Sequence, residues 1–213
     1  MRYAKGHKDR TRGRIVESAS LALREEGANG VSVAALMDLA GLTHGGFYAH
    51  FESREALVVE AIAMAMDRTI SRWLQAIETT PVPDRFDAIV DIYINAPHRD
   101  NRGLGCPLPA LAADIARSSK TARRAFAQKL QEMIEIMGRQ LPNLSAEDGR
   151  RIATAAIATM TGTIVLSRAS GERELSDYIL EAGRQTLRLR TVARKPNVVK
   201  TNASRRTARK DRA

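Results

Sequence analysis

Residues 32–51 read SVAALMDLAGLTHGGFYAHF, two short apolar segments separated by a glycine. The apolar positions of the two segments are Leu36, Leu39, Ala40, Leu42 and Phe47. Their spacing lets two short helices pack against each other at a steep angle, with Gly41 in the tight turn between them. The stretch therefore predicts a helix-turn-helix.

The second helix of this pair is expected to bury Phe47 and Phe51 against the first. It then turns outward a set of small or hydrogen-bonding residues that carries no acid: Thr43, His44, Gly45, Tyr48 and His50. A helix of this kind lies in the major groove, where side chains at its start reach base edges and its amides favour phosphate. Taken alone, Gly45-Gly46 is more typical of a plain loop with surface histidines, so the context has to decide.

The residues around this pair supply that context in four segments: Val33-Ala34-Ala35-Leu36, Ala40-Gly41-Leu42-Thr43, Gly46-Phe47-Tyr48-Ala49-His50-Phe51 and Ser53-Arg54-Glu55-Ala56-Leu57. Over about residues 9–62 the chain resembles the TetR/AcrR family of bacterial transcriptional regulators. The resemblance implies base recognition by His44 and Gly45. It implies phosphate contacts from Thr43, Tyr48 and His50 and a further contact from Arg54. Ser32 completes the predicted DNA-binding set. Met37 and Arg54 depart from the Ala and Lys that are commoner in the family.

The net charge of +10 is concentrated at the two ends of the 213-residue chain. Residues 1–14 carry six Lys or Arg against one Asp, and residues 192–213 carry eight against one Asp. Residues 15–191 carry 20 basic and 22 acidic residues, so the body is slightly acidic. The basic arm is expected to add phosphate or minor-groove contacts, and the tail is too poor in apolar residues to fold. A non-specific basic DNA-packaging protein remains an alternative.

Helical periodicity dominates and alternating β-branched runs are absent, so the predicted fold class is all-α, with about nine helices. The expected domains are a basic arm plus helix-turn-helix DNA-binding domain over residues 1–53, a helical ligand-binding and dimerisation domain over residues 54–191, and a disordered basic tail over residues 192–213. The segment Pro97–Pro109 is rich in Gly and Pro and is predicted to be irregular.

One cysteine, Cys106, and a charged N-terminus without an apolar segment behind it predict a cytoplasmic protein. The uncharged run 152–167 is too short and polar to span a bilayer, so no membrane partner is expected. His44 and His50 do not share a helix face, which argues against a metal site, and no cofactor motif occurs. A thiol-dependent enzyme using Cys106 is a weak alternative because no catalytic motif accompanies the cysteine, and the chain is predicted not to be an enzyme.

The same uncharged run needs covering on more than one side, which a second copy of the chain would provide. The predicted dimer interface combines this run with the last helix: Ile152, Ala156, Gly162, Leu175, Ile179, Gly183 and Leu187. An unusually buried helix in a monomer is the alternative. The family resemblance also implies a four-helix dimer interface, and two recognition helices about 34–36 Å apart would read a palindromic operator.

The middle of the chain carries an apolar, adaptable set of residues that is predicted to line a small-molecule site, although plain core is the alternative. The set is Trp73, Tyr93, Phe126, Met133, Met137 and Met160, with Cys106 as a possible sensor. Gly105-Cys106 resembles a Gly-Cys motif in a subgroup that includes electrophile- and oxidant-sensing repressors, but a buried inert thiol is also consistent. The sequence therefore predicts a homodimeric repressor released by a small-molecule inducer or by modification of Cys106.

Overall fold

A computed structural model describes residues 6–192, with side chains up to residue 188. Within that range there are nine α-helices, three short 3-10 helices and no strand, which confirms the all-α prediction. The α-helices are α1 His7–Glu26, α2 Val33–Leu39, α3 Arg54–Thr79, α4 Arg85–Tyr93, α5 Ala96–Asp100, α6 Leu108–Ala116, α7 Lys120–Gly138, α8 Ala146–Ala169 and α9 Arg173–Val192. The 3-10 helices are His44–Ala49, Val82–Asp84 and Arg102–Leu104. The first five residues of the arm and the tail after Val192 lie outside the described residues.

Serine side chains cap four of the helices. Ser32, Ser53, Ser119 and Ser145 each accept a hydrogen bond from the backbone N–H three residues further on, at the starts of α2, α3, α7 and α8. The Ser145 hydroxyl also donates to an Asp148 carboxylate oxygen over 2.9 Å. These caps satisfy amides that have no partner inside the helix, which is why the helices begin where they do.

Two predicted details are wrong. Residues 44–49 form a 3-10 helix rather than an α-helix. Two adjacent glycines weaken α-helical propensity, and the shorter i to i+3 bonds still let Phe47 reach the core. The segment 97–109 is not irregular, because the Asn95 side chain accepts from the His98 N–H and starts α5. A 3-10 turn and the start of α6 follow within the same segment.

One continuous core runs from the N-terminal helices into the rest of the chain. Ile15 and Leu36 form its N-terminal part with Phe47, and Trp73 and Met160 lie in its other half. The helix α3 belongs to both parts, since Leu57 is buried near its start and Trp73 towards its end. The N-terminal helices α1 and α2, the following 3-10 helix and the start of α3 are called the head below, and the remaining helices are called the body. The shared core means that the head is not packed independently of the body.

The helix α8 is long and apolar enough to meet the length and hydropathy requirements for a membrane-spanning segment, judged on the described residues. The helix extends the uncharged run 152–167 at both ends with charged residues, among them Glu147, Arg151 and Arg168, so the complete helix is more polar than the run. In this fold α8 packs against α7 and α9, and also against α5 and α6. Ala153, Met160 and Ile164 on its inner face are fully buried. The helix therefore forms the centre of the body.

Candidate functional site

Two buried aromatic rings anchor the 3-10 helix His44–Ala49. Phe47 and Phe51 are 1% and 2% exposed, and their rings stack with centroids 5.7 Å apart. The Arg12 guanidinium lies over the Phe51 ring, 4.2 Å from its centroid, and pairs with Glu60 on α3. The ring of Tyr48 meets Phe47 edge-to-face at 5.2 Å and remains 71% exposed. This packing holds the outer face of the short helix in one orientation.

The outer face of this helix has the composition that the sequence predicted. Thr43, His44, Gly45 and Tyr48 are all exposed and lie together around the start and middle of the helix. A Cβ atom added to Gly45 would meet nothing within 4 Å, so the backbone there is open to a close approach from outside. Gly46 instead rests on the buried Met37 side chain of α2. The face offers hydrogen-bond donors and acceptors without a negative charge.

His50 lies at the edge of this face and is half-buried. Burial lowers the pKa of its imidazole, and the nearby cations Lys8 and Arg12 lower it further. The Nδ1 atom is buried and has no hydrogen-bond partner among the described residues. His50 is consequently neutral near pH 7 and lies beside the basic start of α1.

Ser32 and Arg54 have local structural roles that the sequence analysis missed in part. The Ser32 hydroxyl caps α2 through the Ala35 N–H. The Arg54 guanidinium donates to the carbonyl oxygens of Ala28 and Val31, the second over 3.0 Å, so it holds the chain that leads into α2. No sequence signal could reveal this, because both carbonyls belong to a loop more than 20 residues away. Their predicted DNA contacts stay predictions.

A cavity of about 310 Å³ lies in the body, where α3 and α4 meet the segment 95–106 that contains α5, and is called the α3–α5 cavity below. Its lining consists of Thr69, Arg72, Trp73, Ile92, Tyr93, Asn95, Pro97, His98, Asn101, Leu104, Gly105 and Cys106. Trp73, Tyr93 and Cys106 were predicted to line such a site. The polar lining residues from 95 to 101 were missed because that segment was expected to have no regular structure.

The other four predicted ligand residues do not reach this cavity. Met133, Met137 and Met160 are fully buried in the core between α7, α8 and their neighbours, so their place in a ligand site stays a prediction. Phe126 lies half-buried against a separate small pocket between α3 and α7. Apolar side chains at helical spacing most often pack in the core. The spacing alone could not show whether these side chains pack in the core or line a ligand site.

Cys106 is 2% exposed at the inner end of the cavity, just before Pro107 and the start of α6. Burial raises the pKa of its thiol, although hydrogen bonds from Tyr93, Leu108 and Thr69 oppose that effect. The charged thiolate is therefore disfavoured in this conformation, although the sulfur lies near the start of α6. Desolvation of the charged form outweighs the helix dipole when the sulfur is fully covered.

The thiol of Cys106 is expected to react slowly in the folded protein. At pH 7, alkylation by N-ethylmaleimide should be about a hundredfold slower in native protein than in guanidinium-unfolded protein, because burial limits both access and thiolate formation. Since Cys106 is the one cysteine of the chain, mass spectrometry reads this rate directly. Cys106→Ser gives the unlabelled control. Equal rates in the native and unfolded protein would identify an accessible, reactive thiol instead.

Several hydrogen bonds tie the cavity wall to the head. Buried Arg24 of α1 donates from Nη1 to the Gly105 carbonyl over 2.9 Å, and burial lowers the pKa of Arg24 to about 10. The Gly103 N–H donates to the Glu25 carboxylate over 2.6 Å. The Ala28 N–H, just after α1, donates to Asp114 of α6 over 2.8 Å. The end of α1 is thus bonded to the segment that closes one side of the cavity.

The predicted dimer residues divide into two groups. Ala156 and Leu187 are buried by the chain's own helices, and a Cβ at Gly183 would overlap Thr163 of α8, so these three serve packing within one chain. Their assignment to an interface between copies stays a prediction. Leu175 is 46% exposed, and Ile152, Gly162 and Ile179 are partly exposed.

An exposed apolar surface does cover α8 and α9, in residues that sequence analysis largely missed. Its large members are Val165, Leu166, Leu175 and Tyr178. Gly162 leaves open space beside them, since an added Cβ there would meet nothing within 4 Å. These five residues are called the α8–α9 face below. Periodicity placed an apolar surface on these helices, but it could not show which side the chain itself would cover.

Comparison with known proteins identifies both parts of the chain. A model of the tetR family of bacterial regulatory proteins matches residues 15–61, which include α2 and the 3-10 helix. A model of the C-terminal domain of LmrA/YxaF-like transcriptional regulators matches residues 82–178. The two models together match about two thirds of the chain. No curated protein matches the sequence.

Solved structures share the fold at low sequence identity. A TetR transcriptional regulator from Chloroflexus aurantiacus is 23% identical with a TM-score of 0.74, covering 87% of this chain and 96% of that protein. A TetR-family regulator from Cytophaga hutchinsonii is 22% identical with a TM-score of 0.71, covering 88% and 97%. Reduced NemR from E. coli is 19% identical with a TM-score of 0.72, covering 84% and 96%. With a DNA-binding helix-turn-helix domain before a helical ligand-binding domain, the chain belongs to the TetR family of transcriptional regulators.

Proposed function

We propose that this protein is a homodimeric repressor that binds a palindromic operator and is released by a small molecule in the α3–α5 cavity. The observation that carries the proposal is the exposed, acid-free outer face of the helix His44–Ala49, anchored by two buried phenylalanines. A rigid face of hydrogen-bonding side chains is suited to reading base edges in the major groove. His44 and Gly45 are assigned to bases, and Thr43, Tyr48 and His50 to phosphates.

The α8–α9 face supports the dimer. Large apolar side chains exposed together on two adjacent helices typically mark an interface with another molecule. A two-fold interface uses the same surface on both copies, and four helices then pack together across the axis. Dimerisation would place two recognition helices on one side of the DNA, which explains a preference for palindromic sites.

The hydrogen bonds between α1 and residues 103–105 support a route from cavity to DNA. A ligand that moves the cavity wall also moves the partners of Arg24 and Glu25 near the end of α1. The head would then shift away from the spacing that fits the operator. Operator and ligand would thus favour different conformations of the same dimer, which is sufficient for release.

Operator binding by variants of Tyr48 and His44 tests the proposal. With DNA selected from a random library, Tyr48→Phe should weaken binding about tenfold by removing a hydrogen bond to a charged phosphate. His44→Ala should weaken specific binding by about tenfold, while binding to random DNA stays the same. Fluorescence anisotropy at fixed salt measures both effects.

Thr79→Val is the control, because it also removes an exposed hydroxyl, but Thr79 lies at the end of α3 away from the head and outside the α8–α9 face. It should bind operator as the unmodified protein does. If selected and random DNA bind equally well, the protein is a non-specific DNA binder and the proposal is wrong. If His44→Ala weakens binding to selected DNA and to random DNA equally, His44 does not recognise bases.

A further inference from the structure

The α3–α5 cavity is unusual in the charge of its surroundings. Its lining contains no Asp or Glu, although acidic residues outnumber basic ones over residues 15–191 as a whole. Arg72 is part of the lining, on the solvent-exposed side of α3. A concave site lined by one sign of charge concentrates ions of the opposite sign. The positions of Arg72 and of the other arginines near the cavity therefore help to identify the class of ligand that it binds.

Three arginines converge on the segment 98–105 of the cavity wall. Arg72 donates to the Leu104 carbonyl over 3.0 Å, and Arg24 to the Gly105 carbonyl over 2.9 Å. Arg168 of α8 donates to the carbonyls of His98 and Arg99, over 2.7 and 3.0 Å. These bonds use neutral carbonyl oxygens, so the bonds themselves do not neutralise the three positive charges.

The buried arginines reflect this excess of positive charge. Burial lowers the pKa of Arg24, and the charges of Arg68 and Arg72 lower it further. Burial likewise lowers the pKa of Arg168, with Arg102 as the next cause. Glu25 raises both, but its carboxylate already accepts from the Gly103 N–H. An added anion would relieve repulsion among these cations.

The buried end of the cavity is aromatic and uncharged. The Trp73 and Tyr93 rings meet edge-to-face at 6.2 Å, and both are almost fully buried. His98 contributes no charge, because burial lowers its pKa to about 4. Its Nδ1 lies 2.6 Å from the Tyr93 carbonyl and its Nε2 accepts from the Cys106 N–H over 3.0 Å, which fixes the tautomer with the proton on Nδ1. Both ring nitrogens of His98 are thereby occupied.

We propose that the cavity binds a small organic monoanion, a carboxylate attached to an apolar, aromatic body. The carboxylate lies against Arg72, which has N–H donors beyond the one used by Leu104, and the body packs on Trp73 and Tyr93. The volume of about 310 Å³ lies near the lower limit of small-molecule sites and suits one such group. This inference rests on the proposed role of the cavity as the effector site and specifies its ligand class.

Paired acids and amides of the same shape test the charge preference. The full-length protein without DNA is titrated with benzoate and benzamide, 3-phenylpropionate and 3-phenylpropionamide, and 1-naphthoate and 1-naphthamide. Trp73 is the one tryptophan of the chain, so its fluorescence reports occupancy, and calorimetry gives an independent affinity. At least one acid should bind about tenfold more tightly than its amide.

Substitutions of arginine identify the group responsible. Arg72→Gln should weaken binding of that acid about tenfold and leave its amide unchanged, whereas Arg72→Lys should retain part of the preference. Arg139→Gln is the control, since Arg139 is an exposed arginine beyond the far end of α7 and should alter neither affinity.

Benzylamine is titrated as the cationic analogue of benzoate. Three results would overturn the inference: amides that bind as tightly as acids, benzylamine that binds more tightly than benzoate, or no binding by any acid at millimolar concentration. Because these titrations contain no DNA, any of these results leaves the operator-binding proposal standing. That proposal fails separately, through the His44 and Tyr48 variants.

Discussion

The double substitution Leu166→Glu and Tyr178→Glu is expected to make the protein monomeric and to weaken operator binding at least about a hundredfold. Leu166 is 60% exposed and Tyr178 is 71% exposed on the α8–α9 face, so glutamates there are tolerated in one chain. In a dimer the same glutamates would be buried and unpaired, which is costly. A monomer engages one half-site, and losing the linked second contact removes an affinity gain of about 10²–10⁴.

Light scattering after size exclusion measures the oligomeric state, and anisotropy with selected DNA measures binding. Val82→Glu is the control, because Val82 is 48% exposed in the 3-10 turn after α3 and lies outside the α8–α9 face. That variant should remain dimeric with unchanged DNA affinity. A double variant that stays dimeric would place the interface elsewhere, and an unmodified protein that is monomeric while binding palindromic DNA would refute the dimer proposal.

Phe47→Ala is expected to reduce the free energy of unfolding by about 3–5 kcal/mol, the usual cost of removing a buried aromatic side chain. Phe47 is 1% exposed and contacts both Phe51 and Tyr48, so the variant leaves a cavity beneath the recognition helix. Operator binding should be lost with it. Guanidinium unfolding followed by circular dichroism measures the change in stability.

The neighbouring residue gives a matched comparison. Tyr48→Ala removes another aromatic ring from the same short helix, but Tyr48 is mostly exposed and its loss should change stability by less than about 0.5 kcal/mol. Both variants should bind operator poorly, for different reasons. If Phe47→Ala unfolds at the same guanidinium concentration as the unmodified protein, Phe47 does not anchor the recognition helix.

Local chemistry made much of the fold predictable. The serines at positions 32, 53, 119 and 145 satisfy helix amides through contacts three residues away, so these four helix starts depend on neighbouring residues. Gly41 has a φ of 69°, a left-handed conformation that glycine adopts readily, as its place between α2 and the next helix predicted. The burial of Phe47 was likewise predictable from the spacing of apolar residues close to it in the sequence.

The candidate site was less predictable because it depends on contacts between distant segments. Arg24 is an ordinary helix residue in the sequence, and only the fold brings it to the Gly105 carbonyl 81 residues later. Met133 and Met160 have the spacing of a ligand wall, yet α7 and α8 pack them into the core. Gly183 looked like an interface residue because a small side chain suits any close helix contact, including the one with Thr163.

The hydrogen bonds between head and body share one property that affects how ligand preference can evolve. Arg24, Glu25 and Asp114 each bind a main-chain atom on the other side: the Gly105 carbonyl, the Gly103 N–H and the Ala28 N–H. A Cβ atom at Gly103 or Gly105 would overlap Glu25 or His98, so these two glycines are required, but the bonds use no side chain of the other rim residues. Rim side chains such as Ile92 and Leu104 are therefore free to change by mutation, and a new ligand preference can arise without rebuilding the link to the DNA-reading helix.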